Sequence, residues 1–331
     1  MKGHVLAVRG LSVSVLLPDG VRATVVEDVS FGIDEGDTLG LVGESGSGKT
    51  TVSLAIMGLL PGNARIDAGE ILLDGQDLAG MSQRQLQRIR GRQLGMILQD
   101  PLTALDPSFT VRSQLSEPLR QHRGLRRKHL DQELVAALER VQLSGAAERL
   151  NQYPHQLSGG MRQRVTSAIA LAGSPRLLIA DEPTSALDAT TQARYLLMLQ
   201  DLQETTGFAL LLVAHDLMVV RHVCERVAVM YASQIVEHGS VADVFSDPQH
   251  PYTRALLGAI PSMHDGARLD SIEGNSPEIT DSIPGCRFES RCKFARESCT
   301  ITPPQLTDRG DRRAARCFGT EPGGWIENLA L

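Results

Sequence analysis

One stretch constrains this chain more than any other: Gly43-Glu44-Ser45-Gly46-Ser47-Gly48-Lys49-Thr50, which fits Gly-x-x-x-x-Gly-Lys-Ser/Thr. Such glycines let the backbone curl until several N–H groups converge on phosphate oxygens. The helix that follows then presents its positive end to the same anion. Lys49 suits the β- and γ-phosphates, and the Thr50 hydroxyl suits Mg²⁺. The flanks agree with this reading. Thr38 to Val42 is a short apolar run of the kind that forms a buried parallel strand, and Lys49 to Leu60 is rich in helix formers. A chance glycine-rich turn would need neither flank.

A second run, Leu177-Leu178-Ile179-Ala180, ends in Asp181 and Glu182. A phosphate loop needs an acid on a nearby strand to hold the Mg²⁺ shell, and Asp181 is placed for it. Glu182, one step on, projects differently and is a base for the attacking water. Further strands are expected at Val5–Val8, Leu11–Leu17, Gly69–Gly75, Ala209–Val213 and Val227–Met230, with a helix over Thr191–Gln203. Between Met81 and Ala172 the spacing turns helical, as at Leu134, Leu138 and Val141. Strands alternating with helices predict an α/β parallel sheet carrying a helical insertion. From Pro261 to Gly285 the chain is rich in Gly, Pro and Ser and reads as a linker.

The 331 residues exceed one typical domain, and the charge of −6 argues against a protein that coats nucleic acid. No apolar run approaches the roughly 18 residues needed to cross a bilayer. The first residues lack a signal-peptide pattern, so a cytosolic chain is expected. Five cysteines occur: Cys224, then Cys286, Cys292, Cys299 and Cys317. Cys224 reads as a buried core thiol on a helix after His215. The other four, clustered near the end, suit a metal better than disulfides in a reducing compartment. Four thiolates without histidine suit zinc or a [4Fe–4S] cluster. Reduced, unliganded thiols remain the third reading. The tail from residue 262 holds few large apolar side chains, so a metal is expected to supply the energy that orders it.

Leu157-Ser158-Gly159-Gly160-Met161-Arg162-Gln163-Arg164 lies upstream of Asp181, with Gln99 in Met96-Ile97-Leu98-Gln99-Asp100-Pro101, Ser185-Ala186-Leu187-Asp188, and His215. This set, in this order, resembles the ATP-binding cassette (ABC) family over about residues 5 to 240. The resemblance implies a P-loop NTPase core sheet, an antiparallel β subdomain and an inserted helical subdomain. It bounds a nucleotide-binding domain at 1–245, with helices inserted at about 100–172, and a Cys-rich C-terminal extension at 246–331. It also implies ATP contacts from Gly43, Glu44, Ser45, Gly46, Ser47, Gly48, Lys49, Thr50, Thr51 and Gln99. Mg²⁺ falls to Thr50, Gln99 and Asp181, and catalysis to Glu182 and His215. Ser158, Gly159, Gly160, Met161 and Asp188 would serve the ATP of a facing cassette. The family stacks adenine on an N-terminal aromatic residue. Residues 1 to 30 contain none, and Arg22 is the substitute there.

Asp247-Pro248-Gln249-His250-Pro251-Tyr252-Thr253-Arg254 resembles the tail of ATPases serving oligopeptide, dipeptide and nickel importers. It also reads as a helix start with Pro in the first turn. The subfamily implies peptide uptake, with nickel or another small solute as the alternative. It implies two membrane permease subunits, a second related ATPase or a second copy, and an extracytoplasmic solute-binding protein. The segment Gln99–Pro107, together with the helical block, would receive the permease's coupling helix. Its location would be peripheral, at the cytoplasmic face of the inner membrane. The same resemblance suggests an iron–sulfur cluster at the four cysteines. A soluble cassette protein of translation or DNA repair is the rival, and the single cassette with its His-Pro-Tyr tail speaks against it.

Overall fold

In a computed structural model, the described residues are 4–260, 272–310 and 312–326. The expected linker therefore lies partly outside them, at 261–271, as do the first three residues of the leader reading. In chain order the elements are β1 (Leu6–Leu16), β2 (Arg22–Ile33), β3 (Thr38–Val42), α1 (Lys49–Met57), β4 (Ala64–Leu73), β5 (Gln76–Asp77), α2 (Gln83–Ile89) and β6 (Leu94–Ile97). Next come α3 (Pro101–Ala104), α4 (Val111–Arg123), α5 (Arg127–Arg140), α6 (Ala146–Arg149), α7 (Gly159–Leu171), β7 (Leu177–Asp181) and α8 (Ala189–Thr206). The chain closes with β8 (Ala209–Ala214), α9 (Leu217–Val223), β9 (Arg226–Tyr231), β10 (Gln234–Ser240), α10 (Val241–Ser246), α11 (Pro251–Gly258), α12 (Glu297–Ile301), β11 (Thr307–Gly310) and β12 (Arg313–Ala315).

These elements form two compact units. The first comprises Met1–Leu6, Gly32–Thr38 and Leu72–Val213. Within it β6, β7 and β8 pair in parallel, with Leu94 opposite Leu177 and Asp181 opposite Val213. Every residue of β7 is buried, which explains a continuous apolar run where a one-sided strand would alternate. Helices α2 to α8 fall in this unit. Leu130, Leu134 and Leu138 of α5 are buried at helical spacing, and Leu115 and Leu119 of α4 likewise. The expected all-helical block is thus interrupted by one strand, Leu94–Ile97.

The second unit comprises Ala7–Phe31, Leu39–Ile71 and Ala214–Leu331. Its β1 lies between β2 and β4. Val5–Val8 and Leu11–Leu17, expected as two strands, form one, because Gly10 takes up the irregularity at φ +56° without ending the ladder. Strand β3 pairs in parallel with β9, β9 antiparallel with β10, and β10 antiparallel with β12 of the tail. Among the described residues, no helix is long and apolar enough to cross a membrane.

The tail is held by three things the sequence reading did not anticipate. Phe288 is buried among Tyr231, Tyr252 and His250, with ring centroids 5.2, 5.5 and 5.9 Å away. Strand β12 joins the ladder through Ala315 and Ala314, opposite Glu237 and His238. Three buried or half-buried arginines reach acids near the start of the chain: Arg287 to Glu27, Arg291 to Glu44 and Arg316 to Asp28. These contacts contribute to ordering the tail beside whatever a metal would add.

Candidate functional site

The phosphate loop begins where β3 ends. Gly43 sits at φ +156°, and a Cβ there would lie 2.1 Å from the Met230 carbonyl oxygen, so only glycine fits against β9. Gly48, at φ +101°, is the N-cap of α1, whose first residue is Lys49. The Lys49 side chain is buried and curls back over the loop, with Nζ donating to the carbonyls of Gly43 at 2.8 Å and Glu44 at 2.9 Å. Ser47 is buried too, and among the described residues its Oγ has no hydrogen-bond partner. A buried hydroxyl without a partner is costly unless a ligand supplies one. An ammonium, a partnerless hydroxyl and a helix start suit a polyphosphate. Ser45 and Gly46 are exposed on the loop, and Thr50 and Thr51 open α1.

In the other unit, Asp181 ends β7 and is buried. Glu182 follows in the left-handed region, at φ +43°, and its N–H donates to the Val213 carbonyl at 2.9 Å. That turn redirects the side chain away from the strand's alternation. Its Oε2 accepts from Gln99 Nε2 at 3.0 Å, which brings together two residues 83 apart in sequence. Ser158 is the N-cap of α7, its Oγ accepting from Met161 N–H at 3.4 Å. Gly159 is open, whereas a Cβ on Gly160 would approach Thr191 Cγ2 to 2.8 Å. Asp188 caps α8, accepting from the N–H groups of Thr190 and Thr191 and, at 2.7 Å, from the Thr191 hydroxyl. The Thr191 backbone bond is the main reason its carboxyl lies below the usual range. Through Thr191 the structure brings the Ser158–Gly160 turn and the Asp188 cap together within this unit.

His215 follows β8 and is exposed, one residue before Asp216, the N-cap of α9. Cys224 caps the other end of α9 and is buried, so it lies just beyond the helix expected to carry it. The Arg22 guanidinium donates to Ser14 Oγ at 3.1 Å.

The His-Pro-Tyr segment starts α11 as expected, with Pro251 first and His250 Nδ1 accepting from Tyr252 N–H at 3.0 Å. Its surroundings had no signal in the sequence. Glu237, fully buried, accepts from the N–H groups of Gln249 at 2.7 Å and His250 at 2.9 Å. Burial outweighs these donors and pushes the Glu237 carboxyl up to about 7. The same effect depresses His250 to about 3, so it is a neutral acceptor. Tyr252 Oη, at the far side, accepts from the Glu44 N–H of the phosphate loop at 3.1 Å.

Cys286, Cys292, Cys299 and Cys317 line one cavity of about 20 Å³, walled by Phe288, Phe294, Phe318 and Trp325. Among the described residues, however, no three Cys, His, Asp or Glu side chains meet as a metal-ligand set. The four cysteines thus share a cavity without meeting as a ligand set. Burial pushes Cys286 up to about 12 and Cys292 to about 11, and raises Cys317. A metal bound there would have to displace thiol protons.

Residues 26–185 match the model of the ABC transporter family, and residues 236–299 match that of the oligopeptide/dipeptide transporter C-terminal region. The chain is 44% identical to the dipeptide transport ATP-binding protein DppD of Bacillus subtilis, covering 95% of this chain and 94% of that one. It is 43% identical to the oligopeptide transport ATP-binding protein OppD of Salmonella typhimurium, over 95% and 93%. A dimeric post-hydrolysis state of an ATP-binding cassette, bound to ADP and phosphate, superposes with TM-score 0.64 at 27% identity, covering 71% of this chain and 98% of that one.

Proposed function

This chain belongs to the ATP-binding proteins of ABC transporters, in the oligopeptide/dipeptide class, and from that premise we propose that it is the peripheral ATP-hydrolysing subunit of a peptide importer. The observation that carries the nucleotide half is the loop itself, where buried Lys49 Nζ and the partnerless Ser47 Oγ occur beside a helix start. Residues Gly43 to Thr51 bind ATP, with Thr50, Gln99 and Asp181 assigned to Mg²⁺. Mg²⁺, when bound, neutralises charge building on the phosphates.

Glu182 is the base for the attacking water. Gln99, bonded to it at 3.0 Å, fixes the carboxylate's direction. His215 is assigned to the γ-phosphate. Ser158, Gly159, Gly160, Met161 and Asp188 act on the nucleotide of a facing cassette, a second copy or a related ATPase. The nucleotide-binding domain runs to about residue 245, with a helical insertion at about 100–172, and the extension from 246 to 331.

Two permease subunits would seat the chain at the cytoplasmic face of the inner membrane, with an extracytoplasmic receptor delivering the solute. The subfamily match supports peptides over nickel. Reconstitution with the permeases and receptor tests this: peptides should stimulate ATP hydrolysis in proteoliposomes, and stimulation by Ni²⁺ alone would overturn the peptide reading.

The four thiols around one cavity also support a tetra-thiolate centre, either [4Fe–4S] or zinc, formed when a metal displaces the thiol protons. It would be structural, remote from hydrolysis. Anaerobic protein containing iron and sulfide supports the cluster, one zinc per chain replaces it, and four freely alkylated thiols defeat both.

A further inference from the structure

We infer that Arg291 of the tail is a positioning residue for the phosphate loop, cancelling the charge of Glu44 so that the loop accepts a polyphosphate. The inference rests on the nucleotide reading above. Glu44 is an acid inside a loop whose ligand is an anion. Its main chain is held at both ends, by Tyr252 Oη on the N–H at 3.1 Å and by Lys49 Nζ on the carbonyl at 2.9 Å. The ammonium that would reach the phosphates therefore rests on the residue that carries the unwanted charge.

Arg291 meets that charge directly. Its Nη1 donates to Glu44 Oε1 and Oε2 at 3.2 and 3.1 Å, and lies 3.2 Å from both Tyr231 Oη and Ser276 Oγ. Its Nε donates to the Glu273 carbonyl at 3.0 Å. The Ser276 hydroxyl donates to the same Glu44 carboxylate. The guanidinium also stands over the rings of Tyr231 and Phe288, at 5.7 and 5.9 Å. The Arg291 side chain is 6% exposed and that of Glu44 28%, so solvent screens the pair only in part. Held by these contacts, the guanidinium keeps its positive charge against the Glu44 carboxylate.

A purely structural ion pair would anchor the tail and leave nucleotide affinity alone. A charge-cancelling pair has a different signature. Calorimetric titration of MgATP into the full chain should show Arg291→Met weakening binding about tenfold, as an uncompensated charge at this range implies. Met keeps the apolar stem on the two rings. Adding Glu44→Gln to Arg291→Met should return affinity to within about threefold of wild type, because the offending charge is then gone. In the assembled importer the loss should fall on KM for ATP rather than on kcat.

Trp325 is the chain's one tryptophan, and its Nε1 donates to the Phe294 carbonyl, so its emission reports whether the tail stays seated. If Arg291→Met disturbs that emission, Arg291→Lys provides the same comparison with the charge kept, and should bind MgATP within about threefold of wild type. Unchanged affinity in Arg291→Met, or a loss that Glu44→Gln does not reverse while the emission is native, overturns the inference. Wild-type protein that binds no MgATP would instead defeat the nucleotide reading.

Discussion

The phosphate loop and the cysteine-lined cavity share one unit but arise in opposite ways. The loop is eight consecutive residues whose geometry is local: left-handed glycines, a helix start and a lysine folded back on its own carbonyls. The cavity draws Cys286, Cys292, Cys299 of α12 and Cys317 from well-separated positions of the tail, and Phe288, Phe294, Phe318 and Trp325 close it. A site made of contiguous backbone takes its donors from sequence neighbours, and here β9 and Tyr252 only brace it. A site made of scattered thiols needs the surrounding packing first. The phosphate donors are therefore neighbours in sequence, whereas the four thiols come together only through the packing of the tail.

The largest test of that contrast removes the loop's cation. Lys49→Ala should lower ATP hydrolysis at least about 100-fold, the scale of losing a group that stabilises transition-state charge, with the tail's Trp325 emission unchanged. Turnover near wild type in the purified complex would break the loop assignment. Glu182→Gln comes next. Hydrolysis should fall by about 10² to 10⁴ while ATP binding persists, because shape survives and the base does not. Loss of binding as well would show that Glu182 holds nucleotide and not water.

Phe288→Ala probes the other side. Its ring is buried at the centre of the aromatic cluster, and such truncations cost about 3–5 kcal/mol. The tail should become protease-sensitive even with metal supplied, while chelation of wild type should leave it protected. The reverse pattern would mean that the metal, not the packing, orders the tail.

The smallest effect is a pH dependence at Glu237. Its folded pKa is raised to about 7 from 4.5, so the native state holds a proton the unfolded state has lost. The stability tied to that proton is complete below pH 4.5 and gone once pH passes about 7. Urea titrations should show the difference between wild type and Glu237→Gln shrinking through this window by about 1.4 kcal/mol per pH unit at most, then levelling. A difference independent of pH would place the Glu237 proton elsewhere.

Legibility in the sequence followed the same contrast. Gly43 to Thr50, the acidic end of β7, the Ser158 cap and the proline-led start of α11 were readable because each is a run whose meaning is local. Strand β6 was missed since four residues, Leu94 to Ile97, carry too short a pattern inside helical flanks. Strand β12, three residues long, had still less to show. Glu237 gave no sign of its burial, because an acid in a mixed run ordinarily faces water. The Arg291 contact to Glu44 spans 247 positions, and no periodicity encodes a partner at that distance.

That span matters during synthesis. Glu27, Asp28 and Glu44 leave the ribosome early, and their partners Arg287, Arg316 and Arg291 follow 260, 288 and 247 residues later. At ribosomal speeds the interval between Glu44 and Arg291 is roughly 10–50 s. For that time the nascent chain carries a phosphate loop whose carboxylate still opposes its ligand. On the charge-cancelling role inferred for Arg291, full nucleotide affinity waits until that part of the tail has been made.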